Sequence, residues 1–136
     1  MKHYQTLIKI KQKEIDALTK QIGNLRQQRA ILEQLMTNLQ NELIAEVEAA
    51  NSYAHLGAFF GDYSESNKQK QLNVSEKMQQ IDDNINIITE KMMLIYGEKK
   101  KFELALENRL REKAYAMERK EQQFLDELAI TRHLEE

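Results

Sequence analysis

"AHLGAFFGDYSES", residues 54–66, decides how this chain folds. It sets Gly57 and Gly61 four residues apart, with Phe59 and Phe60 adjacent between them and Ser64 and Ser66 behind. Glycine adopts backbone conformations that other residues avoid. Asp62 or Ser64 offers a side-chain oxygen able to cap a new helix. The stretch therefore predicts a bend over residues 54–64. One arm lies before it, about 1–53, and one after it, about 65–136.

Both arms carry coiled-coil spacing. In the first, the a positions are Ile8, Ile15, Ile22, Arg29, Met36, Leu43 and Ala50. The d positions are Tyr4, Lys11, Leu18, Leu25, Leu32, Leu39, Glu46 and Tyr53. Lys11, Arg29 and Glu46 interrupt this seam; polar residues at such positions weaken a coiled coil but select its register. A helix of this length runs about 80 Å at 1.5 Å per residue. A chain of 136 residues cannot bury it in a globule, so it needs a second helix. The second arm supplies one. Val74, Met78, Ile81, Ile85, Ile88, Met92, Ile95, Phe102 and Leu106 follow the same three-four spacing, with Lys99 as a polar break. Leu25, Leu32, Ile85 and Ile88 are expected to be mutually buried. Beyond, Leu106, Leu110 and Ala114 fall four apart, before Met117, Phe124 and Leu128. That resembles a stutter, which locally unwinds a left-handed supercoil. The longer second arm should overhang the first.

The expected fold is all-α: one long antiparallel two-helix coiled coil forming a single α-hairpin domain over residues 1–136. A continuous helix dimerising end to end is the rival, and the paired glycines argue against it. Gly23 and Gly97 fall off the seam and read as soft spots in the helices.

Composition agrees. The chain has no proline, no cysteine and four glycines, and 31% of its residues are charged. Proline would break long helices, and cysteine would be needed for disulfides or thiolate metal sites. No apolar leader follows Met1-Lys2-His3-Tyr4, and no apolar run approaches a membrane span, so a cytoplasmic protein without membrane insertion is expected. Net charge is -2 but unevenly spread. It is +5 over residues 1–30, -6 over 31–66, zero over 67–97, +3 over 98–120 and -4 over 121–136. A dominant basic face is missing, so nucleic acid is not an expected partner. The uneven charge reads either as solvated helix faces or as a rod that docks partners by charge.

Signs of catalysis are missing. His3, His55 and His133 stand apart, and no Gly-rich phosphate loop occurs. Ser52, Ser64, Ser66 and Ser75 lack a nucleophile-elbow context. Asp82-Asp83 and Asp126-Glu127 are neighbours on helices, so their side chains diverge by about 100°. The expectation is a non-enzymatic protein with no catalytic, cofactor or metal site. Its shape suits bridging, spacing or plugging.

The most specific text is "EKKKFELALENRLREKAYAMERKEQQFLDELAITRH", residues 98–133. A basic cluster with Lys101 leads to Glu103, Leu106, Glu107 and Arg109. Further on come Glu118, Lys120, Glu121, Asp126, Glu127 and Arg132. This pattern resembles the flagellar export protein FliJ family and its relatives in virulence-type type III secretion. The opening "YQTLIKIKQKEID", residues 4–16, is also similar, with Tyr4 where the family often has phenylalanine. The resemblance implies an antiparallel coiled-coil stalk, cytoplasmic and peripheral to the inner-membrane export apparatus. Its implied partners are the hexameric export ATPase, the export gate membrane protein and export chaperones. Tyr4, Arg109, Arg111 and Lys113 are the expected ATPase-ring contacts. Tyr53, Phe59, Phe60 and Tyr63, near the bend, are the expected gate contacts. Gly61, directly after Phe60, departs from the family's pattern there. The alternative reading is a generic coiled-coil tether, scaffold or chaperone-like adaptor outside type III export.

Overall fold

A computed structural model of the chain describes residues 2–52 and 57–135, with the side chains of 57–59 left aside. All of these residues are helical. Helix α1 runs Lys2–Ser52, 51 residues, and helix α2 runs Gly57–Glu135, 79 residues. The two pack antiparallel as an all-α hairpin. Contacts between them step down α2 as they step up α1: Tyr4 meets Arg109, Lys11 meets Glu98, Arg29 meets Asp82 and Leu39 meets Asn67.

Two compact units are distinguishable. In the unit of residues 1–15 and 93–136, Tyr4, Leu7, Ile8, Lys11 and Ile15 turn inward from α1. Ile95, Lys99, Phe102 and Leu106 do so from α2. Ile15 and Ile95 are buried. Lys11 and Lys99 occupy seam positions by carrying their ammonium groups to the rim. Lys11 Nζ lies 2.6 Å from Glu98 Oε2, and Lys99 Nζ donates to Gln12 Oε1 at 2.6 Å. The hydrogen bond to Glu98 holds the Lys11 ammonium above its ordinary pKa of 10.5.

In the unit of residues 16–92, Leu18, Ile22, Leu39 and Val74 are buried. Leu25, Leu32, Ile85 and Ile88 lie on the seam as expected but are only half-buried. A pair of helices leaves the edges of its contact open to water, so most seam residues are covered on one side only. Arg29 enters the seam as a bidentate clamp. Its Nε donates to Asp82 Oδ1 at 2.6 Å and an Nη to Asp82 Oδ2 at 3.1 Å, while Glu33 takes its other Nη. This geometry suits a guanidinium better than an ammonium.

These hydrogen bonds from Arg29 hold the Asp82 carboxyl below its ordinary value of 3.8, against the opposing effect of burial. A carboxyl whose folded pKa is depressed stabilises the fold above its unfolded value and loses that contribution as pH falls through the folded one. Thermal unfolding should therefore show a step of destabilisation below pH 3.8 that Asp82→Asn lacks. The step is modest, because both groups keep about a third of their surface in water. Identical acid profiles for the two proteins would mean that the clamp adds nothing.

The start of α2 differs from the sequence-based expectation. Residues 57–64, assigned to the bend, are helical, so Asp62 and Ser64 sit inside α2 rather than capping it. Gly61 carries no positive φ, and a Cβ there would meet nothing within 4 Å. A glycine costs a helix only about 1 kcal/mol. Phe60, Tyr63, Asn67 and Gln71 turn inward one or two turns apart, and packing of this face outweighs that cost. Residues 54–56 of the expected bend lie outside the described residues, as does Tyr53. Gly23 and Gly97 are exposed with open space around them, as their off-seam positions predict. Glu46, placed on the seam by the heptad, is exposed.

Candidate partner-binding surfaces

The unit containing both Tyr4 and the last turns of α2 brings two expected contact residues together. The Arg109 guanidinium lies over the Tyr4 ring, 5.9 Å from its centre, and the His3 ring meets Tyr4 edge-on at 5.7 Å. Tyr4 is half-buried, whereas Arg109 is exposed. This cation–π contact joins the first turn of α1 to α2. Arg111 faces the neighbouring turn, with an Nη 2.7 Å from Glu107 Oε1. Lys113 is exposed. Tyr4, Arg109, Arg111 and Lys113 thus belong to the same compact unit, where Arg109 lies against Tyr4. Half-buried Leu106 precedes this point, and every described residue from Glu107 to Glu135 is exposed. The change of spacing at residues 106–114 coincides with the point at which burial stops along α2.

The residues behind the FliJ-like pattern divide at the same point. Glu103 and Leu106 are half-buried and Lys101 is exposed; Glu107, Arg109, Glu118, Lys120, Glu121, Asp126, Glu127 and Arg132 are all exposed. Buried seam positions are selected for packing and recur in any coiled coil. Exposed charges are not needed for that packing.

The expected gate contacts are only partly described. Phe59 belongs to α2, and its side chain is among those left aside. Phe60 and Tyr63, three residues apart, share a face and are half-buried. They therefore contribute to the hairpin's own packing as well as offering an aromatic edge.

Sequence reasoning missed two features. One is Asn67, a buried polar side chain only 3% exposed. Its Nδ2 donates to the backbone carbonyl of Leu39 at 2.9 Å, and its Oδ1 accepts from Gln71 Nε2 at 2.6 Å. The three-four spacing run backwards from Val74 through Gln71 reaches Asn67, so the signal was present but hidden by polar residues. The other is an open groove of about 420 Å³ beside the seam, with Leu25, Ile31, Leu32 and Ile81 on its walls. Leu25 and Asn84 also line an adjoining groove of about 360 Å³ with Ile87 and Ile88. The only charged group among the residues lining either is Lys77. Ile31 and Ile87 are 69% and 63% exposed, and their off-seam positions were the available clue.

No protein-family model, curated protein or solved structure matches the chain. Among the described residues, no cluster of three or more His, Cys, Asp or Glu could hold a metal ion. No described helix is long and apolar enough to cross a membrane.

Proposed function

We propose that this chain is the coiled-coil stalk of a flagellar or related type III protein export apparatus. Its paired open end, with Tyr4, Arg109, Arg111 and Lys113, seats in the hexameric export ATPase. The aromatic edge near the bend, with Phe60 and Tyr63, faces the export gate membrane protein. Work at the cytoplasmic side of the inner membrane and escort of export chaperones go with this role. The reading rests on the FliJ-like pattern of residues 98–133. What supports carrying it beyond a general coiled coil is that eight of its residues, Glu107 to Arg132, are exposed rather than packed in the seam. An antiparallel hairpin with one projecting helix is also the form that such a stalk requires.

Charge reversal at Arg109→Glu, Arg111→Glu and Lys113→Glu together should abolish capture by the hexameric ATPase of an export apparatus. Helix content should stay unchanged, because all three side chains are exposed and only Arg109 reaches α1, through the edge contact with Tyr4 at its first turn. Wild-type protein that the hexamer fails to capture would remove the export reading and leave a tether or scaffold. Capture that survives the triple reversal would move the contact elsewhere on the chain.

A further inference from the structure

The last part of α2 has an apolar stripe that no other described residue covers. Leu110, Met117, Phe124 and Leu128 are all 43% exposed or more, and Ala114 lies between the first two. The stripe continues the face on which Phe102 and Leu106 are half-buried in the hairpin seam. Most helical stability in proteins comes from covering an amphipathic face rather than from propensity. The three-four spacing and the continuity with an existing helix–helix seam identify the cover as another helix.

Charge selects which helix. Residues 107–120 hold five basic side chains against three acidic, whereas residues 121–135 hold four acidic against one basic. The segment is thus positive in its first half and negative in its second. A second copy running antiparallel, pivoted near residues 119–121, lays each positive half on a negative one. A parallel copy lays like on like. The antiparallel arrangement also brings Ala114 to the level of Phe124 and Leu128 of the copy, setting a small residue against large ones. Lys120 and Glu121, adjacent at the pivot, supply opposite charges where the copies cross.

We infer that two copies of this chain associate through residues 107–135, the two projecting helices lying antiparallel in a self-complementary coiled coil of about four heptads. This pairing does not depend on the export reading. If both hold, the copy and the export ATPase compete for the same helix.

Sedimentation equilibrium over a concentration series tests it. Wild-type protein should associate to a dimer, more weakly as salt rises. One variant reverses the positive half (Arg111→Glu, Lys113→Glu, Arg119→Glu, Lys120→Glu). Another reverses the negative half (Glu121→Lys, Asp126→Lys, Glu127→Lys). Each alone should dimerise roughly tenfold or more weakly, and an equimolar mixture should recover a heterodimer. Phe124→Asp, which changes the stripe, should weaken association as well. All the altered residues are exposed, and circular dichroism checks that the hairpin keeps its helix content. The chain has no cysteine, so direction can be read by oxidising introduced pairs. Ala114→Cys mixed with Leu128→Cys should give the mixed disulfide, and Ala114→Cys alone should give little dimer. A wild-type monomer at every soluble concentration would overturn the inference and assign the stripe to a different protein. A dimer that both charge variants leave intact, or efficient linkage of 114 to 114, would overturn it equally.

Discussion

Ile15→Ala is expected to cost the hairpin about 2–3 kcal/mol. Ile15 is 1% exposed, more deeply buried than the other described core residues. Truncation loses the transfer free energy of three carbons and leaves a cavity, which together cost about 2–5 kcal/mol in a well-packed core. Two paired helices can shift toward one another more easily than the layers of a thick domain. The cavity contribution therefore falls toward the low end. Against a total stability of about 5–15 kcal/mol for an ordinary domain, this is still a large share. Ile10 makes the internal control. It is the same residue type on the same helix but 46% exposed, and Ile10→Ala should stay within about 0.5 kcal/mol. Urea unfolding of both variants checks the contrast. Equal losses at the two positions would mean that the hairpin seam is not what holds α1.

Asn67→Asp is expected to destabilise by about 3 kcal/mol or more at neutral pH, although the shape barely changes. The Asn67 amide nitrogen donates to the Leu39 carbonyl in a site 3% exposed. An aspartate oxygen in its place would point a negative charge at that carbonyl, an acceptor facing an acceptor with no proton to share. The ionised form is disfavoured by burial and by the carbonyl, so the introduced carboxyl should have a raised pKa. A carboxyl with a raised folded pKa is least harmful when protonated, since it can then donate to Leu39. The loss should shrink as pH falls through that raised value, opposite in direction to the Asp82 effect. Thermal unfolding between neutral and acidic pH reads the difference. A penalty that does not depend on pH would mean that the hydrogen bond to Leu39 contributes little.

Asn67 also shows where reading the chain as text stopped. A search for apolar side chains ends the second seam at Val74. The structure carries it back through Gln71 and Asn67 to Tyr63 and Phe60. Polar residues mark a seam only when their partners are known, and Asn67's partner is a backbone carbonyl 28 residues away. Gly61 was misleading for a related reason. Its freedom to leave the helix is intrinsic, whereas the packing that keeps it helical involves the other helix. Arg29 was legible as a break in the heptad, but not Asp82 as its clamp. Of the candidate contact residues, Tyr4 and Arg109 were singled out separately, and only the fold puts one over the other.

The sequence by itself determined the fold class, the two helices, their apolar seam and the excess length of the second. Each follows from local periodicity and the absence of proline, which act within a few turns of one chain. Only the tertiary structure decided where α2 begins, which seam positions are dry and which carry paired polar groups. It also decided where the partnered part of α2 ends. Those depend on register, a property of two helices together: one turn of slip would exchange every pair while leaving each helix's own pattern intact.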